Sequence, residues 1–99
     1  MAMRVLSDHG ARLIARNVTM GRGEIDLHVA FGSTVVAVEV KTLMAASPMG
    51  ADPLRSYTVE KADTVHRLGR RLRPRPHRID VVAVVVHDGG VDVRWVRGA

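Results

Sequence analysis

Apolar and polar residues alternate along much of this 99-residue chain, and changes in their period mark out its elements. Residues 24–30, EIDLHVA, alternate cleanly, with Ile25, Leu27 and Val29 on one face and Glu24, Asp26 and His28 on the other. That two-residue period is a strand's, because successive side chains point to opposite sides. Residues 11–18, ARLIARNV, alternate more weakly and predict an earlier strand, joined through a turn at 20–23, MGRG. FGST at 31–34 predicts a hairpin loop. VVAVEVKT at 35–42 predicts a strand apolar on both faces until Glu39 and Lys41.

The period then lengthens. Over 58–72, TVEKADTVHRLGRRL, the residues Val59, Ala62, Val65, Gly69 and Leu72 make a helical stripe, with Leu68 at its edge. Thr58 is placed to cap that helix, Glu60 lies in its first turn, and Pro74 and Pro76 end it. RIDVVAVVVH, 78–87, is the near-continuous apolar run of a strand covered on both sides. DGG at 88–90 turns into VDVRWV at 91–96, a last strand. MRVLSDH, 3–9, reads as a short helix stopped by Gly10. Residues 43–57 carry Ser-Pro, Met-Gly and Asp-Pro and predict a long loop, a length usual for functional or mobile loops.

This order predicts one α/β domain over residues 1–99. A mixed five-stranded sheet carries one main crossover helix, and a right-handed crossover makes the strands on either side of that helix parallel. With only Phe31, Tyr57 and Trp95 as aromatics, valine has to supply most of the packing. The absence of cysteine excludes disulfides and thiolate zinc, and suits a cytoplasmic location. No apolar run reaches membrane-spanning length, and no secretory core follows Met1–Arg4.

The formal charge of +5 is local. Between Glu60 and Arg78 stand Lys61, Arg67, Arg70, Arg71, Arg73, Arg75 and Arg78 against two acids, Glu60 and Asp63. That excess equals the whole imbalance, since the rest of the chain holds eight bases and eight acids. Such a patch suits a polyanion, nucleic acid first, although a solvated helix face would look the same. Arg70, Arg71, Arg73 and Arg75 are the leading phosphate contacts, with Lys61 and Arg67 beside them.

Charge inside an apolar strand asks for compensation. If Ala30 faces Val35 across the hairpin, paired positions sum to 65, which sets Asp26 opposite Glu39 and Glu24 opposite Lys41. Directly opposed like charges repel. Either Lys41 or a hard divalent cation can reverse that sign, and a cation held by two carboxylates and water is what metal-assisted phosphodiester hydrolysis requires. A salt-bridge ladder at the sheet end is the plainer reading of the same residues. His28 shares the acidic face and is expected to be a partly buried neutral histidine.

The Gly-Glu-Ile-Asp-Leu stretch beginning at Gly23, followed thirteen residues after Asp26 by Glu39-Val40-Lys41, resembles the YraN family of predicted endonucleases. That family is similar to the Holliday-junction resolvases of the PD-(D/E)xK nuclease superfamily. RLIARNV, VEKADTVHRLGRRL and RIDVVAV extend the resemblance over roughly Gly10 to Val96. It implies a restriction-endonuclease-like core and a Mg²⁺- or Mn²⁺-dependent endonuclease acting on DNA, including branched DNA. By residue, it implies Asp26 and Glu39 as metal-binding acids, the Val40 carbonyl as a further ligand, Lys41 as the catalytic lysine, Glu24 as an assistant and Asp80 as a supporting residue. The chain departs from that pattern in its first helix, which is short and holds Asp8 as its only acid. The helix is expected to be truncated, leaving sheet surface that a second subunit of a homodimer would cover. A nucleic-acid-binding module without turnover and a purely structural subunit are the competing expectations.

Overall fold

The computed structural model describes residues 1–44 and 57–99, so residues 45–56 of the predicted loop lie outside the described residues. Two helices and five strands succeed one another: α1 (Ala2–Asp8), β1 (Arg12–Met20), β2 (Gly23–Phe31), β3 (Thr34–Met44), α2 (Val59–Gly69), β4 (Arg78–His87) and β5 (Gly90–Val96). They form an α/β fold with one mixed sheet in the order β1-β2-β3-β4-β5. Only β3 and β4 run parallel, with α2 between them in the chain. No helix among the described residues is long and apolar enough to cross a membrane.

Each face of the sheet has its own core. On one side Ala2 and Leu6 of α1 pack on Leu27, Val29, Val36, Val38 and Val82. On the other, Val65 and Leu68 of α2 pack with Leu72 on Ile25, Ala37 and Ile79. Thr58 caps α2 as expected, its hydroxyl accepting the Lys61 N–H at 3.2 Å. Two positions of the helical stripe come out differently. Val59, the first helical residue, is 74% exposed, while Leu68 is core at 4%. The helix also ends at Gly69 rather than Leu72, but a further turn bonds Leu72 N–H to the Gly69 carbonyl at 3.1 Å and keeps Leu72 buried.

The hairpin register holds from Phe31↔Thr34 through Ala30↔Val35 to Leu27↔Val38. The loop is tighter than four residues, because Phe31 and Thr34 pair and leave the turn to Gly32 (φ +59°) and Ser33. The ladder stops one pair short of Asp26 and Glu39. Alternation also fails there. Leu27 belongs to the α1-side core, yet Ile25 packs against α2, not on the face of Leu27 and Val29. Its neighbour β1 switches in step: Arg16 pairs with Leu27 and Val18 with Ile25, with Asn17 between them at φ +53°. A left-handed residue rotates the strand locally, so the far ends of β1 and β2 curl over α2.

Asp80, in β4, is wholly buried and fully bonded. Its oxygens accept from Nε and Nη2 of Arg78 (2.9 and 3.2 Å), from Trp95 Nε1 (2.9 Å) and from the Gly98 N–H (2.9 Å). It ties β4 to β5 and the residues after it.

Candidate metal and nucleic-acid site

β3 turns its odd-numbered side chains toward α2. Ala37 packs under the helix, and Glu39 and Lys41 continue that face where the helix begins. Lys41 Nζ lies 3.3 Å from Glu39 Oε1, with the two side chains 19% and 15% exposed. Glu24 from β2 and Glu60, Lys61 and Thr64 from α2 complete the walls of a cleft of about 270 Å³. The Thr58 cap fixes this first turn of α2 and so sets where Glu60, Lys61 and Thr64 meet the sheet.

The electrostatics of the cleft are unbalanced. Burial pushes the Glu39 carboxyl above the usual carboxylate range and the charge of Asp26 pushes it further, against the opposing pull of Lys41 and, more weakly, Lys61. Burial works against the Lys41 charge. Contact with the Lys61 amine and the carboxylates of Glu39 and Asp26 outweigh it and leave Lys41 above the ordinary lysine value. Lys61, touching the Lys41 amine, is held below it. Lys61, expected as a phosphate contact, also stands in the wall of the acidic cleft.

Asp26 stands apart from the one-face cluster drawn from simple alternation. Its Oδ2 accepts the Val40 N–H at 2.8 Å, and it lines a second cleft, on the α1 side, with Arg16, Asn17 and Thr42. Glu24, Glu39 and Lys41 share the first cleft without it. The physical reason is the failed alternation: where β2 rotates out of the ladder, the Asp26 carboxylate takes the backbone donor that a β2 carbonyl would otherwise meet. Asp26 thus lies at the seam between β2 and β3, near enough for its charge to act on both Glu39 and Lys41.

Among the described residues, no three acids or histidines converge in a metal cage. The available donors are the carboxylates of Asp26 and Glu39, which reach the β2–β3 seam from its two sides. That set suits Mg²⁺ or Mn²⁺, which keep much of their water. The repulsion that raises Glu39 is what a bound cation would relieve.

One neighbour of Glu39 escaped sequence reasoning. The Tyr57 hydroxyl is buried with no hydrogen-bond partner among the described residues, and burial and then the charge of Glu39 push its pKa up. Its position just before the Thr58 cap was the only available signal. His28 is a structural residue: its buried ring donates Nε2–H to the Pro74 carbonyl at 2.8 Å.

The arginines of α2 and of the residues after it line separate clefts. Arg67 and Arg71 line a groove with Arg22. Arg70 and Arg75 line a different cleft, with His66 and His77. Arg73 folds back, Nη1 donating to the carbonyls of Arg70 and Leu72, both at 2.8 Å.

Comparison with known proteins bears on the whole chain. The family described as "Uncharacterised protein family UPF0102" matches residues 1–84. A UPF0102 protein of Stutzerimonas stutzeri is 35% identical over 100% of this chain and 87% of its own length. One from a Parafrankia species is 39% identical over 100% and 88%, and one from Pseudomonas fluorescens 36% over 99% and 85%. Matched by the family over most of its length and by these relatives from end to end, the chain belongs to the UPF0102 family.

Proposed function

We propose that this protein is a divalent-metal-dependent endonuclease that hydrolyses DNA phosphodiester bonds, with branched DNA the substrate form to test first. The observation that carries the reading is the half-buried Glu39–Lys41 pair at the end of a valine strand, with its carboxyl pushed up by burial and by Asp26. Solubility does not call for such a pair there, and a purely structural pair would be better compensated. The resemblance of Gly23–Leu27 and Glu39–Lys41 to nuclease motifs supports the same assignment.

Asp26 and Glu39 would hold the ion, with the Val40 carbonyl as a third protein oxygen. When bound, a Mg²⁺ or Mn²⁺ ion polarises the phosphoryl oxygen and acidifies a coordinated water. Lys41, its ammonium held 3.3 Å from Glu39 Oε1, would offset charge developing on the phosphate. The Val40 N–H keeps the Asp26 carboxylate oriented before substrate arrives. Water oxygen bonds to phosphorus, one phosphorus–ester oxygen bond breaks, and the displaced oxygen leaves as an alcohol after protonation. DNA is the partner this reading requires. A homodimer is proposed with it, the second subunit covering sheet surface that the seven-residue α1 leaves open. Light scattering of the purified chain checks that assembly.

The competing reading is a DNA-binding module without turnover, favoured by the small number of converging acids. Supercoiled plasmid and a four-way junction, incubated with Mg²⁺ or Mn²⁺, separate the two. The nuclease nicks, and loses nicking in chelator and in Asp26→Ala or Glu39→Ala. Salt-sensitive binding without nicking leaves the module.

A further inference from the structure

We infer that Arg22, Arg67 and Arg71 form a discrete cradle for the phosphates of one nucleic-acid strand, leading it into the acidic cleft. The destination of that path rests on the nuclease reading above; the cradle itself does not. The β1–β2 turn, Gly21-Arg22, lies against α2 because Gly23 has no side chain. A Cβ at Gly23 would collide with Cδ1 of Leu68. This contact places Arg22 across a groove of about 370 Å³ from Arg67 and Arg71. All three are exposed, and none has an acidic partner among the described residues. The space where a side chain would stand on Gly21, whose φ is +59°, is open, so a phosphate can approach the backbone from that side.

The groove and the acidic cleft adjoin at Thr64, which lines both. From Lys61 to Arg67 the helix rises about 9 Å. At about 3.4 Å per nucleotide along the axis of a duplex, that rise spans roughly two to three nucleotides. Arg70 and Arg75 serve as the internal contrast. Their cleft shares no lining residue with the groove or with the acidic cleft.

The test compares two double variants that remove equal charge, Arg22→Ala/Arg67→Ala and Arg70→Ala/Arg75→Ala. Binding of a short fluorescein-labelled DNA duplex and of its single strand is measured by anisotropy, in chelator, over a series of salt concentrations. The cradle predicts that the first pair loses roughly tenfold or more in affinity, with a salt slope shallower by about two. The second pair stays within about twofold, reflecting only general attraction. Arg22→Lys/Arg67→Lys recovers most of the loss, because a lysine still meets a phosphate as a point charge. Equal losses in the two pairs, or no binding by the natural chain, overturn the cradle. Cradle-dependent binding by a chain that never nicks DNA sinks the nuclease reading alone.

Discussion

Two acids on neighbouring strands of this sheet, Asp80 and Glu39, each pair with a base two residues away, and the likeness ends there. Asp80 has no exposed surface and receives four hydrogen bonds from Arg78, Trp95 and Gly98. Glu39 is partly open, holds one ammonium at 3.3 Å and is raised by burial and by a second carboxylate. The first is a buried charge whose desolvation is repaid in geometry, so its role is to fix β5 and the following residues to β4. The second is left short of positive charge beside a cleft, the condition under which a cation or an anionic ligand's counter-charge binds with gain.

The comparison breaks most visibly at Asp80. Asp80→Ala leaves the Arg78 guanidinium and Trp95 N–H without their acceptor and is expected to destabilise the chain by about 3–5 kcal/mol. Urea unfolding reads this out, and a cost below about 1 kcal/mol would refute the clasp. Lys41→Ala should do the reverse. Stability changes by less than about 1 kcal/mol, as for partly exposed pairs. Nicking falls about a hundredfold or more, the scale for removing one charge-stabilising donor. A variant that nicks at the natural rate would leave Lys41 with only the ion pair. Gly23→Ala is expected to cost about 1–3 kcal/mol through the clash with Leu68, measured by thermal melting. Thr58→Ala removes the cap that sets the cleft wall and should cost about 1 kcal/mol by the same measurement.

The smallest effect is also the most diagnostic. The folded-state pKa of Glu39 lies above its ordinary value, so the fold favours the protonated form. That contribution is fully present below the ordinary value of 4.5 and is lost as pH rises through the raised one. Glu39→Gln should therefore be the more stable chain at neutral pH in chelator, by less than about 1 kcal/mol. The gap should close near pH 4, where both side chains are neutral. Added Mn²⁺ should stabilise the natural chain and not the variant. A variant less stable than the natural chain at neutral pH would show that Lys41 already balances Glu39.

Much of the hairpin was legible from residues alone. Alternation over 24–30 and the valine run over 35–42 set the pairing that the ladder follows from Phe31↔Thr34 to Leu27↔Val38. The Thr58 cap was readable because capping is a short-range exchange of hydrogen bonds. Ile25 was misplaced because alternation assumes an unbroken pleat, and nothing at Asp26 itself announces that Asn17, on another strand, is left-handed. Val59 was misplaced because helical period says which residues share a face, not how deeply each position along that face is covered. The arginines read as a single patch because charge counts carry no direction.

The order of elements, the parallel pairing across the crossover helix and the presence of unmatched charge in β3 were written into patterns that act over a few residues, where backbone geometry dictates period and register. Which acids meet was settled elsewhere. The seat of Asp26 at the strand seam, the capture of Lys61 by the acidic cleft, the clasp that Trp95 and Gly98 close on Asp80 and the division of the arginines between two clefts depend on strand rotation and helix placement. These are properties of distant segments packed together, and no local period encodes them.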